Sequence, residues 1–265
     1  MAELLLGNMF DLLPGKWKGK VDLVFTDPPY LISKKNKKFI NYMNPGHGDV
    51  NLDFGEWDYE FDLEKFVDIV YDLLNEDGQF IVWTSEQLSG KYRDYCGEKG
   101  MHVKQTLIWV KTNPIPNALL MGYRQSTEMM LWVSKNKLRR NSPNFNFLNQ
   151  QRMTNVFYAP IVGGKERLKT SKQDKDGKYL THPTQKPLSI CRDIIINHSK
   201  QDGLVIDPFM GVGTIPLSAI NERRDYVGVE IDPDYYNVAV ERLKYFEKWT
   251  NYFPIETKQK NKNLI

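Results

Sequence analysis

Short apolar or β-branched runs alternate along the chain with longer stretches of helical period. Val21 to Thr26, Gln79 to Thr84, Thr106 to Val110 and Glu128 to Ser134 have the length and residue types of strands, as do Glu3 to Leu6, Leu204 to Ile206 and Tyr226 to Val229. Between two of these runs, Leu63, Phe66, Val67, Val70, Leu73 and Leu74 recur at helical spacing, and Gly78 follows as a stop signal. That spacing predicts a helix covering a sheet. Asp232-Pro233 sets a capping residue ahead of a proline at the first helical position, and Val238, Val240, Leu243 and Phe246 continue a helix toward the C-terminus. Strands and helices in this order predict an α/β fold with a mostly parallel, doubly wound sheet.

Two stretches break the rhythm. From Leu31 to Asp58 no period is sustained, and the run holds Lys34, Lys35, Lys37 and Lys38 before Asn44-Pro45-Gly46-His47-Gly48. A loop of that length inside one domain is expected to be functional or mobile. From Lys135 to Lys178 the chain is rich in Asn and Gln and carries eleven basic residues against three acidic ones, with Phe145, Phe147, Phe157 and Tyr158 interspersed. The expected organisation is therefore a domain formed by 1–134 and 179–249, an insertion at 135–178, and a polar tail at 250–265 that is disordered from Lys258 onward.

Composition narrows the class. The chain of 265 residues is 41% hydrophobic and 26% charged, ordinary for a globular protein, and its mean hydropathy of -0.52 argues against a membrane protein. Leu4 to Leu6 is broken at once by Gly7-Asn8, so it lacks the length of a signal peptide, and no later run approaches a membrane span. The two cysteines, Cys96 and Cys191, are far apart and have no metal-ligand neighbours, which leaves a reducing cytoplasm as the expected setting. A net charge of +3 is too mild to imply nucleic acid; the uneven placement of the basic residues is more informative.

Asp27-Pro28-Pro29-Tyr30 follows directly on the apolar run Val21 to Thr26, at a strand end where α/β sheets bind ligands. The exocyclic amine of a nucleobase is a poor nucleophile because its lone pair is delocalised into the ring. Acceptors for both amino hydrogens, here the Asp27 carboxylate and the Pro28 carbonyl, favour a tetrahedral nitrogen whose lone pair can attack a methyl group. Consecutive prolines fix the direction of that carbonyl, and Tyr30 offers a face on which an extruded base can stack. Asp-Pro-Pro also reads as a plain strand-terminating turn.

A second run, Asp207-Pro208-Phe209-Met210-Gly211-Val212-Gly213-Thr214, again follows an apolar strand and precedes a helix. Gly211 and Gly213 permit a tight turn and a close backbone approach to a nucleoside. Pro216 occupies the place of a third glycine, so this is not the dinucleotide fingerprint. Glu230 closes the run Tyr226 to Val229, where a carboxylate can accept hydrogen bonds from both ribose hydroxyls.

With these two motifs in this order, the chain resembles the amino-group DNA methyltransferases of the beta arrangement, over about Leu4 to Phe246. Asp53-Phe54-Gly55-Glu56-Trp57-Asp58 and Ile108-Trp109-Val110-Lys111 make it look most like the MboII-type adenine enzymes. The resemblance implies a Rossmann-like methyltransferase fold using S-adenosylmethionine. It implies that Asp27, Pro28, Pro29 and Tyr30 hold the target amine and base. Phe209, Gly211, Gly213 and Thr214 would line the cofactor pocket, Asp207 would face the methionine amino group, and Glu230 with Ile231 would meet the ribose side. Thr181-His182-Pro183-Thr184-Gln185-Lys186-Pro187 resembles the remaining cofactor motif, with Lys186 able to meet the methionine carboxylate. His182 reads as structural. Asn8 stands where the family often has an Asp at the cofactor's adenine edge, and an amide can still donate and accept there.

An enzyme acting on a base must also grip phosphates, and Lys34, Lys35, Arg139, Arg140, Arg152, Lys165 and Arg167 are the candidate contacts to double-stranded DNA. A solvated charged face is the plain alternative for any one of them. Three functions stand at this point: adenine-N6 methylation, favoured by Asp27; cytosine-N4 methylation, where Ser often replaces that Asp; and a non-catalytic DNA-binding module. An RNA substrate would leave no different mark. No metal is expected, since a sulfonium donor is already activated, and the resemblance implies a homodimer without deciding whether a restriction endonuclease accompanies it.

Overall fold

In the computed structural model the described residues are 1–29, 38–39, 50–51, 61–117, 120–151, 153–163, 167–173, 177, 179–181 and 184–252. The central element is an eight-stranded sheet of order β1-β12-β11-β2-β5-β7-β6-β8. Its strands are β1 (Ala2–Leu6), β2 (Val21–Thr26), β5 (Leu74–Thr84), β6 (His102–Lys111), β7 (Thr127–Ser134), β8 (Val156–Ala159), β11 (Leu204–Asp207) and β12 (Asp225–Glu230). Two short ladders, β3 (Lys38–Phe39) with β4 (Val50–Asn51) and β9 (Lys169–Gln173) with β10 (Tyr179–Thr181), stand apart from it. Only β7 runs antiparallel to its neighbours β5 and β6; the other pairings in the sheet are parallel. The mostly parallel, doubly wound arrangement expected from the sequence is what forms.

Alternate residues of each strand feed opposite faces, as a two-residue period requires. Val24, Phe80, Val82, Val133 and Ile206 pack with α1 (Met9–Leu12), α2 (Leu63–Leu73) and α3 (Glu86–Glu98). Leu23, Phe25, Ile81, Trp83, Met130 and Val205 pack with α4 (Leu188–His198), α5 (Thr214–Asn221) and α6 (Pro233–Tyr252). Both sheet faces are thereby covered, which explains why β2 is buried at every position rather than alternating.

The local signals mostly act as their residue types dictate. Asp62 caps α2 by accepting the Lys65 N–H, and Asp232 caps the start of α6 by accepting the Asp234 N–H at 2.7 Å. Gly78 does not end α2. That helix stops at Leu73, and Gly78 closes a tight excursion inside β5, where a Cβ would lie 2.8 Å from the Asn75 carbonyl oxygen. α3 has no clear apolar period, because its inward positions include Ser89 and Cys96 as well as Leu88 and Tyr92.

The run from Lys135 begins bolted to the body. β7 points opposite to β2, so it delivers Ser134 to the edge where β2 and β5 start. There Asn136 donates to the Glu76 carboxylate, Ser142 to Asp77, and Asn146 to the Ile196 and Ser199 carbonyls. Gln79 gathers the rest: its Oε1 accepts Trp132 Nε1–H at 2.8 Å and lies 2.9 Å from His198 Nδ1, while its amide donates to the Asn144 carbonyl. An acceptor shared in this way requires His198 to carry its proton on Nδ1. Burial holds that imidazole neutral, its pKa pushed down to about 3.

Among the described residues no helix is long and apolar enough to cross a membrane. The tail from Lys258 lies outside the described residues, as does the expected loop 31–58 apart from β3 and β4.

Candidate active site

β2 and β11 are neighbours pairing Val205 with Leu23 and Ile206 with Val24, and from them the chain winds outward in opposite directions, to β5 and to β12. This is the switch point of the sheet, where a crevice opens beyond the carboxyl ends of the strands. Asp27 follows β2 and Asp207 closes β11, so the two motif turns stand side by side. Thr26 ties them together, its hydroxyl donating to Asp207 Oδ1 at 2.6 Å.

Around Asp27 the prolines are buried and the aspartate is half-buried at the mouth. Its Oδ2 is 2.6 Å from Lys186 Nζ, on a side chain only 6% exposed. The same ammonium lies 3.3 Å from Glu128 Oε2 and 5.1 Å from the centre of the Trp83 ring. Glu128 in turn is 2.9 Å from Lys111 Nζ. Burial alone would pull the Lys186 ammonium down; Asp27 and Glu128 outweigh it and hold it above the ordinary lysine value. Burial pushes Glu128 the other way, yet Lys186 and Lys111 keep it below the usual carboxylate range.

Asp207 is buried and accepts the Phe209 N–H at 3.2 Å besides the Thr26 hydroxyl. No cationic side chain among the described residues pairs with it. Burial raises its pKa to about 8 against those two donors, with Asp27 and Glu230 adding repulsion. Gly211 and Gly213 take φ of 52° and 76°, the left-handed region that glycine tolerates. A Cβ on Gly213 would also come within 3.0 Å of Ala239, so the turn needs the missing side chain twice over. Glu230, at the end of β12, accepts the Gly211 N–H at 2.9 Å and the Asp232 N–H at 2.8 Å. Burial still leaves its carboxyl above the ordinary value.

A family model described as a DNA methylase, of the N6 and N4 type, matches residues 21–241. The chain belongs to the DNA methylase family. Over 92% of its length the methylase is 32% identical to the type II methyltransferase M.HinfI of Haemophilus influenzae, of which it covers 68%. It is 29% identical to M2.DpnII of Streptococcus pneumoniae, covering 91% of this chain and 89% of that one. Among solved structures, the M1.HpyAVI-SAM complex superposes with a TM-score of 0.69 at 28% identity, over 92% of this chain and 99% of the other. The cytosine-N4-specific PvuII DNA methyltransferase has the same fold, with a TM-score of 0.67 at 17% identity over 90% and 85% of the two chains.

The methylase brings Asp27, Pro28, Pro29, Lys186, Asp207, Phe209, Gly211, Gly213 and Glu230 to one edge of its sheet. Phe209 meets Phe61 and Phe66 edge-on at 5.6 and 5.5 Å, so its ring backs the turn from the core side. The Thr214 hydroxyl accepts from Arg242 at 3.0 Å and is turned into the protein. Asn8 lies one strand further along, its Oδ1 capping α1 through the Phe10 N–H, and Ile231 is exposed beside Glu230. Tyr30, Lys34, Lys35, Arg152, Lys165 and His182 lie outside the described residues.

Arg139 and Arg140 are not brought to this edge. They follow the antiparallel strand β7 and therefore sit at the edge opposite Asp27, a strand length of roughly 20 Å away. Arg167 lies on the near edge, since the next residue, Leu168, donates its N–H to Gln185 beside Lys186. The sequence reading missed Thr26, Glu128 and Lys111. A carboxylate opening an apolar strand and a lysine closing the adjacent one were the available signals, and each alone reads as an ordinary solvated strand end.

Proposed function

We propose that the methylase transfers a methyl group from S-adenosylmethionine to N6 of an adenine extruded from double-stranded DNA at a specific sequence. One observation carries this reading: the Asp27 turn and the Asp207–Gly213 turn end adjacent parallel strands and are joined through Thr26. A group held by one turn thus faces a group held by the other.

The residues present fit the cofactor. Asp207 is a buried carboxyl without a cationic neighbour among the described residues, suited to the methionine ammonium. Gly211 and Gly213 let the backbone turn tightly beside a nucleoside, with Phe209 behind, Glu230 and Ile231 on the ribose side, and Asn8 toward the adenine edge. Lys186 borders both the Asp27 carboxylate and the place the resemblance gives to the methionine carboxylate. The bound sulfonium supplies the electrophilic methyl carbon. The chain's own part is to present the nucleophile: the Asp27 carboxylate and the Pro28 carbonyl accept the two amino hydrogens, and Tyr30 stacks on the base. As the new bond forms, the nitrogen releases one proton toward these acceptors.

Adenine is favoured by Asp27 itself and by the likeness to the MboII-type enzymes. Arg167 leads the phosphate contacts, with Lys34, Lys35, Arg152 and Lys165 as further candidates. The same reading divides the chain into 1–134 and 179–249 as one catalytic domain, 135–178 as the recognition insertion and 250–265 as a tail. It takes the protein as a cytoplasmic homodimer, and the type II names of its relatives support a modification role beside a restriction endonuclease.

Incubation with labelled S-adenosylmethionine and unmethylated genomic DNA, followed by nucleoside analysis, tests the whole proposal. N6-methyldeoxyadenosine is the expected product. N4-methyldeoxycytidine would move the target to cytosine, and no labelled nucleoside would overturn the reading.

A further inference from the structure

Four charges of alternating sign run inward along the active edge. Lys111, at the end of β6, is 2.9 Å from Glu128 Oε1; Glu128 Oε2 is 3.3 Å from Lys186 Nζ; Lys186 Nζ is 2.6 Å from Asp27 Oδ2. Both lysines also lie over indole rings, Lys186 above Trp83 and Lys111 above Trp109, and those two rings meet edge-on at 5.9 Å. Burying such a chain costs more desolvation than an apolar packing of equal volume would. For stability alone it is a poor choice. What it provides is position, because a lysine with a flexible four-carbon stem is held by a carboxylate on one side, a second carboxylate on the other and a ring beneath.

We propose that Glu128 and Lys111 form a brace that fixes the Lys186 ammonium against Asp27, making Lys186 and Glu128 positioning residues for the carboxylate that accepts the target amine. The inference rests on the assignment of Asp27 made above. Among the described residues, removing Glu128 leaves the ammonium the Asp27 carboxylate to answer, without its anchor on β7, so the Asp27 side chain loses part of its fixed orientation. With Glu128 in place the ammonium is anchored to the sheet through β7, and Asp27 is set by a rigid element rather than by its own turn.

The test uses the full chain, S-adenosylmethionine and unmethylated genomic DNA, comparing Glu128→Gln, Glu128→Asp, Lys111→Met and Asp27→Ala with the parent. Glu128→Gln is expected to lower the single-turnover rate roughly 10²-fold, the scale of a small misplacement of a reacting group. Its dissociation constants for cofactor and DNA should stay within about twofold, since neither ligand is touched. Glu128→Asp, which keeps the charge, should recover part of the rate. Lys111→Met should lower it by roughly tenfold, and the double variant should be no slower than Glu128→Gln, as members of one network are not additive.

A parent-like rate in Glu128→Gln overturns the brace, and so does weakened cofactor binding with the rate unchanged, which would leave Lys186 serving the cofactor alone. Should Glu128→Gln fail to fold, judged by its melting temperature, Lys111→Met carries the same readout and decides. Asp27→Ala separates the two levels. If it keeps turnover the underlying assignment falls; if it is dead while the Glu128 variants are normal, only the brace falls.

Discussion

Asp22 and Asp207 are both 2% exposed and lie on adjacent parallel strands, yet they are treated in opposite ways. Asp22, at the start of β2, accepts from Asn75 Nδ2 at 2.9 Å, Lys200 Nζ at 3.0 Å and the Leu204 N–H at 2.8 Å. Gly203 is pressed so close that a Cβ there would stand 2.9 Å from its oxygen. Asp207, at the end of β11, has a hydroxyl and one N–H, and its pKa is pushed up to about 8 by burial. A carboxylate saturated by donors and a cation is a rivet between elements. One buried at the switch point of the sheet with no cation among the described residues fits, on the proposed reading, a cationic ligand.

The largest expected effect lies at the prepared edge. Asp27→Ala should reduce methyl transfer by roughly 10³-fold or more while cofactor affinity changes little, read by single-turnover labelling and by titration calorimetry. Retained turnover would dissolve the contrast between the two edges.

Asp207→Asn should weaken S-adenosylmethionine binding by roughly 10- to 100-fold near pH 8, the worth of a charged hydrogen bond. The parent's affinity should also depend on pH. A cation prefers the ionised carboxyl, so on the acid side of about 8 the dissociation constant should rise as pH falls, whereas the Asn variant should show no such slope there. Stability of the ligand-free protein should move the opposite way. The unfolded carboxyl loses its proton near 3.8 and the folded one near 8, so stability falls as pH rises between these values and then levels off. Equal pH profiles for parent and variant would remove Asp207 from the role.

At the riveted edge, Asp22→Asn should cost about 2 kcal/mol of stability in urea unfolding and leave the methyl-transfer rate of the folded protein unchanged. A loss of rate without a loss of stability would make the two edges alike. The smallest effect is reserved for Arg139→Ala with Arg140→Ala, which should leave the salt dependence of DNA binding as it is. Arg167→Ala should lower that slope by about one unit. The reverse result would place the DNA across the far edge.

Much of this contrast was legible in the sequence. Asp27 to Tyr30 and Asp207 to Gly213 each follow an apolar strand, so local pattern alone located both strand ends, and their order led to the right family. What local pattern cannot give is strand direction. Only the antiparallel course of β7 decides that Arg139 and Arg140 land at the edge opposite Asp27, and nothing between Thr127 and Ser134 encodes it. α3 escaped for a different reason: Ser89 and Cys96 occupy inward positions that a search for apolar period passes over. The pairing of Glu128 with Lys111 was invisible because a charge at a strand end gains its meaning from the neighbouring strand.

Gln79 has one further consequence. Its amide links Trp132, His198 and the Asn144 carbonyl, with Phe145 stacked 5.0 Å above Trp132. A chimera that exchanged specificity with a relative by cutting at Lys135 would tear Asn144 and Phe145 away from Gln79 and Trp132, which stay with the scaffold. On the proposed division of the chain, a graft that leaves the host intact begins after Asn146, which makes the exchangeable piece shorter than the basic stretch 135–178.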